Sequence, residues 1–300
     1  MKPIAPKTLP VEIRVERGIL KKAGALLSGG GKRRFLLLSD APTDDPALAL
    51  TLGSLQKAGH TVVRAADQDR SPAAVDAILA VGNDEQIGAA VRVAESGYPD
   101  LPCVLAPSTR EAQFDFPFCA APTLVLCDPS LPVTDADRKR ATVELIRYAV
   151  GFDPSLFDLL YTDFDFGALL RRCLTIRCDL LDADKTDLFD RLGTVIGRAV
   201  GRATDGETDP AEQLAIGLAA ATRYALKIGY CRRDFLPDLV GLLTYHGLPN
   251  SALVSDDELN AAIKENTRAD GRNVISLPRR LGECGLIGFD PASLTGLLPN

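Results

Sequence analysis

Leu124-Val125-Leu126-Cys127-Asp128-Pro129-Ser130-Leu131-Pro132 is the stretch at which the chain changes texture. Four apolar residues that read as a buried strand run into an Asp-Pro turn. Before this point short apolar runs alternate with amphipathic stretches. Arg34-Phe35-Leu36-Leu37-Leu38-Ser39-Asp40, Thr61-Val62-Val63-Arg64, Ala77-Ile78-Leu79-Ala80-Val81 and Cys103-Val104-Leu105-Ala106 read as strands. Helices are predicted from about Asp45 to Ala58, ending at Gly59, and from about Asp84 to Glu95. Strands alternating with helices in this way imply a mostly parallel sheet covered by helices on both faces.

After Pro132 helical patterns dominate. Thr134 and Asp137 have capping-box spacing with a shortened acid and open a helix to about Val150. Leu169 to Asp182 and Leu188 to Thr204 read as further helices. Asp209-Pro210-Ala211-Glu212 supplies an N-cap, an N1 proline and an N3 acid. Ser255 and Glu258 repeat the capping box before Leu259 to Asn266, and two short β-like pieces follow, Asn273 to Leu277 and Leu281 to Ile287. The domain boundary is placed near residue 132. Gly29-Gly30-Gly31 precedes a strand rather than a helix, so it reads as a turn and not as a phosphate loop.

Composition narrows the function classes. At 300 residues and 46% hydrophobic, the chain can bury one large or two ordinary cores. A formal net charge of −6 argues against nucleic acid or an acidic membrane surface as partner. No apolar run approaches the roughly 18 residues that a membrane span needs. Met1-Lys2-Pro3-Ile4-Ala5-Pro6 lacks the apolar segment of a secretory signal, so a cytoplasmic protein is expected. The seven cysteines are scattered with no C-x-x-C, which suits buried free thiols. There are only two histidines, His60 at a helix-to-strand turn and His246 at the end of a helix, where a capping role is expected.

The order of these elements, with several local phrases, resembles the 3-dehydroquinate synthase family. Leu126-Cys127-Asp128-Pro129 followed by Leu131 resembles the turn into that family's helical domain. Glu144-Leu145-Ile146-Arg147-Tyr148 resembles its Glu-Val-Ile-Lys-Tyr, and Leu170 through Lys185 resembles the helix that follows. Leu192-Gly193-Thr194-Val195-Ile196-Gly197-Arg198-Ala199 resembles Leu-Gly-His-Thr-Phe-Gly-His-Ala. Glu212 through Leu218, Gly247-Leu248-Pro249 and Asp270-Gly271 fall where the family has related phrases. The resemblance covers roughly residues 10 to 285. It implies an α/β N-terminal Rossmann-like parallel-sheet domain over 1–132, followed by a mainly α-helical C-terminal domain over 133–300.

The family is a branch of the sugar-phosphate cyclases. It closes a phosphorylated seven-carbon keto acid into a ring, using NAD and a divalent metal. The resemblance implies a Glu and two His as metal ligands. The Glu falls on Glu144, but the histidines fall on Thr194 or Arg198 and on Pro210. The glycine-rich NAD loop falls on Val81-Gly82-Asn83-Asp84-Glu85-Gln86, where one glycine remains and two acids open the helix. Asp40, Gly82 and Thr109 stand as remnants of the cofactor site. Glu144, Arg147, Asp115 and Arg198 stand as the remnant cleft residues. The family's substrate-gripping lysine loop is missing between Asp115 and Leu124. No bound metal and no NAD are therefore expected.

Arg191, Arg198 and Arg202 are expected to form a basic helix face able to meet an anion. Arg198, with Arg147 as the second choice, is expected to neutralise Glu144 in place of a metal. The function expected is that of a non-catalytic structural or regulatory subunit, pairing with a copy of itself or with an intact family member. The alternatives are a metal-independent cyclase or lyase acting on a small anionic ligand, and an atypical 3-dehydroquinate synthase.

Overall fold

A computed structural model describes residues 2–29, 31–64, 74–232, 234–264 and 273–299. In chain order the elements are β1 (Glu12–Val15), α1 (Ala23–Leu27), β2 (Arg34–Leu38), α2 (Pro46–Lys57), β3 (Thr61–Arg64), β4 (Ala77–Gly82), α3 (Asp84–Gly97), β5 (Cys103–Pro107), α4 (Arg110–Phe114) and β6 (Pro122–Cys127). There follow α5 (Asp135–Gly151), α6 (Ser155–Leu159), α7 (Phe166–Asp182), α8 (Thr186–Asp190), α9 (Thr194–Ala203), α10 (Pro210–Lys227), α11 (Leu236–Tyr245), α12 (Asp256–Lys264), β7 (Val274–Arg280) and β8 (Glu283–Gly288). Contacts group them into two units, Met1–Arg138 with Asp165–Asp182, and Lys139–Phe164 with Ala183–Asn300.

The first unit is the predicted parallel sheet, in the order β1-β6-β5-β4-β2-β3. β4 and β5 are buried at every position, as befits central strands of a doubly covered sheet. Phe35, Leu37, Leu48, Leu55, Leu79, Val81, Val104 and Leu126 form the core on one face. The edge strand β1, absent from the sequence reading, buries Ile13 and Val15 while Glu12 and Arg14 stay half-buried. His60 is a satisfied core side chain. Its Nδ1 accepts the Arg33 N–H at 3.0 Å, its Nε2 lies 3.0 Å from the Gly24 carbonyl, and its ring meets Phe35 edge-on at 5.4 Å.

The grouping differs from a division at residue 132, because α7 belongs with the first unit. Phe166 packs edge-on against Phe114 at 5.6 Å, and the Arg110 guanidinium sits 4.3 Å over the Phe166 ring. Arg171 donates to the carbonyls of Lys2 and Val15, and the Asp182 carboxylate accepts the N–H groups of Lys7 and Thr8. Apolar periodicity shows that a helix has a buried face but not which core that face covers.

The second unit is mainly helical, with β7 and β8 as an antiparallel pair. Asp209 caps α10 through the Ala211 N–H, and Ser255 with Glu258 forms a reciprocal capping box on α12. At α5 the box is incomplete. Thr134 accepts the Asp137 N–H, while the Asp137 carboxylate instead accepts the N–H of Arg110 at 2.8 Å. The single helix expected from Leu188 to Thr204 is in fact two. Gly193 takes φ +77°, a left-handed conformation that breaks the helix between α8 and α9. The two helices α9 and α10 then meet backbone to backbone. A Cβ on Gly217 would lie 1.9 Å from the Gly193 carbonyl oxygen, and one on Gly197 would lie 2.4 Å from that of Gln213.

His246 does take the C-cap position of α11, and its Nε2 lies 2.9 Å from the Leu160 carbonyl. Cys103, Cys127, Cys173, Cys178 and Cys231 are buried, whereas Cys119 and Cys284 are half-buried. The Asp270-Gly271 phrase and the last residues of the helix expected to reach Asn266 lie outside the described residues. Among the described residues no helix is long and apolar enough to cross a membrane.

Candidate functional site

Glu144 and Arg147 lie one turn apart on α5. Arg147 Nη1 donates to Glu144 Oε1 at 3.2 Å, with the two side chains only 7% and 13% exposed. Nη2 of the same guanidinium donates to the Phe189 carbonyl at 2.9 Å, and its plane rests 3.6 Å from the centre of the Phe189 ring. The carboxylate is thus met by a cation that is itself fixed on two other sides. The partner is the second choice of the sequence reading. Arg198, the first choice, is exposed on α9 and makes no ion pair with Glu144.

Arg198 instead lines a pocket of about 230 Å³ within the second unit, together with Asp187, Asp190, Arg191, Thr194, Arg202 and Asn273. Thr194, Arg198 and Arg202 recur every four residues and so share one face of α9. Arg191 reaches the pocket from the turn before Gly193, not from the same helix. It is held there, with Nη1 donating to the Val274 carbonyl at 3.2 Å and Nε 3.4 Å from Asp187. The Thr194 hydroxyl donates to the Asp190 carbonyl. Arg198 and Arg202 have no hydrogen-bond or ion-pair partner among the described residues.

In the first unit, Asp40 follows β2, Gly82 ends β4 and Thr109 follows β5. These three strands are neighbours and parallel, so the three residues share the carboxyl edge of the sheet, where ligands of such sheets bind. Gly82 and Thr109 each have a local use. Asp40 is exposed, and the Thr109 hydroxyl caps α4 through the Ala112 N–H at 3.1 Å. Asn83 and Gln86 form a complete capping box on α3, each side chain accepting the other's backbone N–H at 3.0 Å. A Cβ on Gly82 would fall 2.3 Å from Gln86 Oε1, so the bare glycine makes room for the cap. Asp115 is exposed and lines a second pocket, of about 330 Å³, with Asp84, Glu85 and the stacked rings of Phe116 and Phe118. The sequence reading passed over Gln86 and Phe189. The Asn83-x-x-Gln86 spacing was a signal for the first, whereas nothing local announced the second.

No family model matches the chain. The 3-dehydroquinate synthase of Halorhodospira halophila is 27% identical to it, over 59% of this chain and 55% of that protein. That of Pelobacter propionicus is 29% identical over 43% and 40%. The chain spans about half the length, or less, of the curated relatives it matches. Solved structures align over nearly the whole fold. A 2-deoxy-scyllo-inosose synthase complexed with carbaglucose-6-phosphate, NAD+ and Co2+ gives a TM-score of 0.78 at 15% identity, over 96% of each chain. ValA, the 2-epi-5-epi-valiolone synthase of Streptomyces hygroscopicus, gives 0.73 at 18% identity, over 98% of this chain and 96% of the other.

The chain is similar in sequence to 3-dehydroquinate synthases and has the fold of the 2-deoxy-scyllo-inosose synthase.

The cofactors that the resemblance implies can be set against the side chains in place. A catalytic divalent metal takes about three N or O ligands from protein. At the family's three ligand positions this chain offers Glu144, bound to Arg147, then Thr194 or Arg198, and Pro210, which opens α10. Among the described residues no group of three or more His, Cys, Asp or Glu could hold a metal ion. A dinucleotide's diphosphate binds to free N–H groups at a helix start. On α3 the Gln86 N–H is occupied by the cap, the space beside Gly82 is filled by Gln86, and Asp84 and Glu85 set two negative charges in the first turn.

Proposed function

We propose that this member of the 3-dehydroquinate synthase family does not run the NAD- and metal-dependent ring closure, and acts as a non-catalytic structural or regulatory subunit. The observation that carries the reading is the Arg147–Glu144 pair. A carboxylate in the family's ligand position is committed to a guanidinium at 3.2 Å and is nearly excluded from water. A metal arriving there would have to displace a cation already fixed by Phe189. The occupied capping box on α3 supports the same conclusion for NAD. The partner in this reading is a second copy of the chain or an intact member of the family.

Two assays test the proposal together. Incubation with the family's phosphorylated seven-carbon keto acid, NAD and zinc should yield no cyclised product, and formation of that product overturns the reading. Light scattering on a sizing column, with affinity capture, should show a dimer or a co-purifying family member. Monomers that capture no partner overturn the subunit assignment.

One observation favours a second reading, a metal-independent cyclase or lyase of altered specificity. Arg198 and Arg202 present two unpaired guanidinium groups to a pocket. Conversion of any sugar phosphate by protein stripped of metal would select it.

A further inference from the structure

We propose that the exposed face of α11, with the end of α6 beside it, is a docking surface for a protein segment that presents arginine side chains. The surface uses neither Glu144 nor the start of α3, so docking there is independent of whether the chain closes a ring.

Aromatic exposure motivates it. Tyr245, the last residue of α11, is 61% exposed, and Tyr161, in the turn after α6, is 40% exposed. Their rings lie side by side with centroids 5.2 Å apart. The pair is held from beneath. The Tyr161 ring meets that of buried Phe157 at 6.4 Å, and the Tyr245 ring stands at 85° to that of His246. His246 in turn is tied to the end of α6, with Nε2 2.9 Å from the Leu160 carbonyl. Tyr161 also lies across α11, since a Cβ on Gly241 would come 3.6 Å from its hydroxyl. Asp238, Gly241 and Tyr245 are spaced by three and four residues and so share that helix face. Gly241 is exposed, which leaves bare backbone between the acid and the aromatic ring.

Charge names the occupant. From residue 148 to 170, and again from 234 to 263, the chain has acids but no Lys or Arg. The two stretches meet at the tyrosine pair. Partial burial raises the Tyr161 pKa above its ordinary value, and the charges of Asp238 and Asp158 raise it further, so both carboxylates lie near the ring. Both are exposed, and neither has an ion-pair partner among the described residues. A guanidinium stacks flat on an aromatic face while donating paired N–H groups to carboxylates at its edge, which a lysine ammonium does less well. Tyrosine is enriched in protein interfaces for its broad face and polar tip. A second copy docked by this same face would set like charges against each other, so the partner is a different, basic surface.

The test is fluorescence anisotropy of labelled octa-arginine titrated with the full chain at about 0.15 M salt, with octa-lysine as the comparison. Octa-arginine should bind with a Kd below about 100 μM, and at least about three-fold tighter than octa-lysine. Tyr245→Ser should weaken it by about three-fold or more, and Asp158→Asn combined with Asp238→Asn by about five-fold. Asp44→Asn combined with Asp100→Asn, which removes two exposed acids of the first unit, should leave it unchanged. All five side chains are exposed, so melting curves of the variants should match that of the parent. Absence of binding overturns the proposal, as do equal affinities for the two peptides, equal losses from the two carboxylate pairs, or binding that Tyr245→Ser leaves unchanged. A dimer on a sizing column that Tyr245→Ser dissolves also overturns it, because the occupant is then a second copy.

Discussion

The guanidinium of Arg147 lies 3.2 Å from the carboxylate of Glu144, and both groups are almost fully withdrawn from water. Removing one partner of such a pair strands the other charge in a poorly solvated place. Arg147→Met should therefore destabilise the protein by about 3 kcal/mol. The double variant carrying Glu144→Gln as well should recover much of the loss. Urea denaturation of the two single variants and the double closes the cycle. A cost under about 1 kcal/mol for Arg147→Met would show that the pair behaves as a surface ion pair.

Gly217 and Gly53 should respond oppositely to alanine. At Gly217 a Cβ would meet the Gly193 backbone oxygen, so α9 and α10 would have to move apart, at about 3 kcal/mol. At Gly53, inside α2, a Cβ meets nothing within 4 Å, and alanine should stabilise by about 0.5–1 kcal/mol through the lower entropy of the unfolded chain. Thermal melts of both variants check the pair of signs. Equal and small effects would mean that the α9–α10 crossing is looser than described.

Much of this architecture was legible in the residues. Ala77 to Val81 and Cys103 to Ala106 are continuous apolar runs between helical patterns, and both became central strands. Glu12–Val15 was missed because four residues carry little signal and its pairing partner, Leu124–Cys127, is far away in sequence. The helix expected from Leu188 to Thr204 failed at Gly193, where amphipathic spacing continues across a residue whose left-handed conformation breaks the helix. At the candidate site, the i, i+3 spacing of Glu144 and Arg147 already offered a local pair. Preference went to Arg198 because the resemblance, not the helix geometry, was followed there. That Arg198 and Arg202 face a pocket depends on β7, which sequence periodicity alone does not bring alongside α9.

His246 gives the fold a predicted acid sensitivity. Burial holds its pKa below the ordinary 6.5, against a smaller opposing effect of the Leu160 carbonyl. The unfolded chain therefore takes up the proton more readily. Stability should be full above the ordinary value and should fall as pH drops through it toward the lowered folded value. His246→Gln can keep a donor to Leu160 without titrating, so its melting temperature should vary less between about pH 7 and 5. Parallel pH profiles for the two proteins would contradict this.

Burial also sets the reactivity of the thiols. It pushes Cys103 and Cys178 up to about 12 each, so almost none of either is thiolate near neutral pH. Iodoacetamide labelling at pH 8, read by peptide mass spectrometry, should modify these two at least about 100-fold faster in denaturant than in the native protein. Equal rates would place them in solvent.

Calorimetric titration of NAD into the full chain, in buffer containing zinc, puts the account to its sharpest trial. With the Asn83–Gln86 box occupying the start of α3, Asp84 and Glu85 beside it, and Glu144 committed to Arg147, no saturable heat is expected up to about 1 mM NAD. A saturating isotherm with a Kd near about 1 μM would contradict the account, because it would require the helix start to accept a diphosphate that its residues are arranged to refuse.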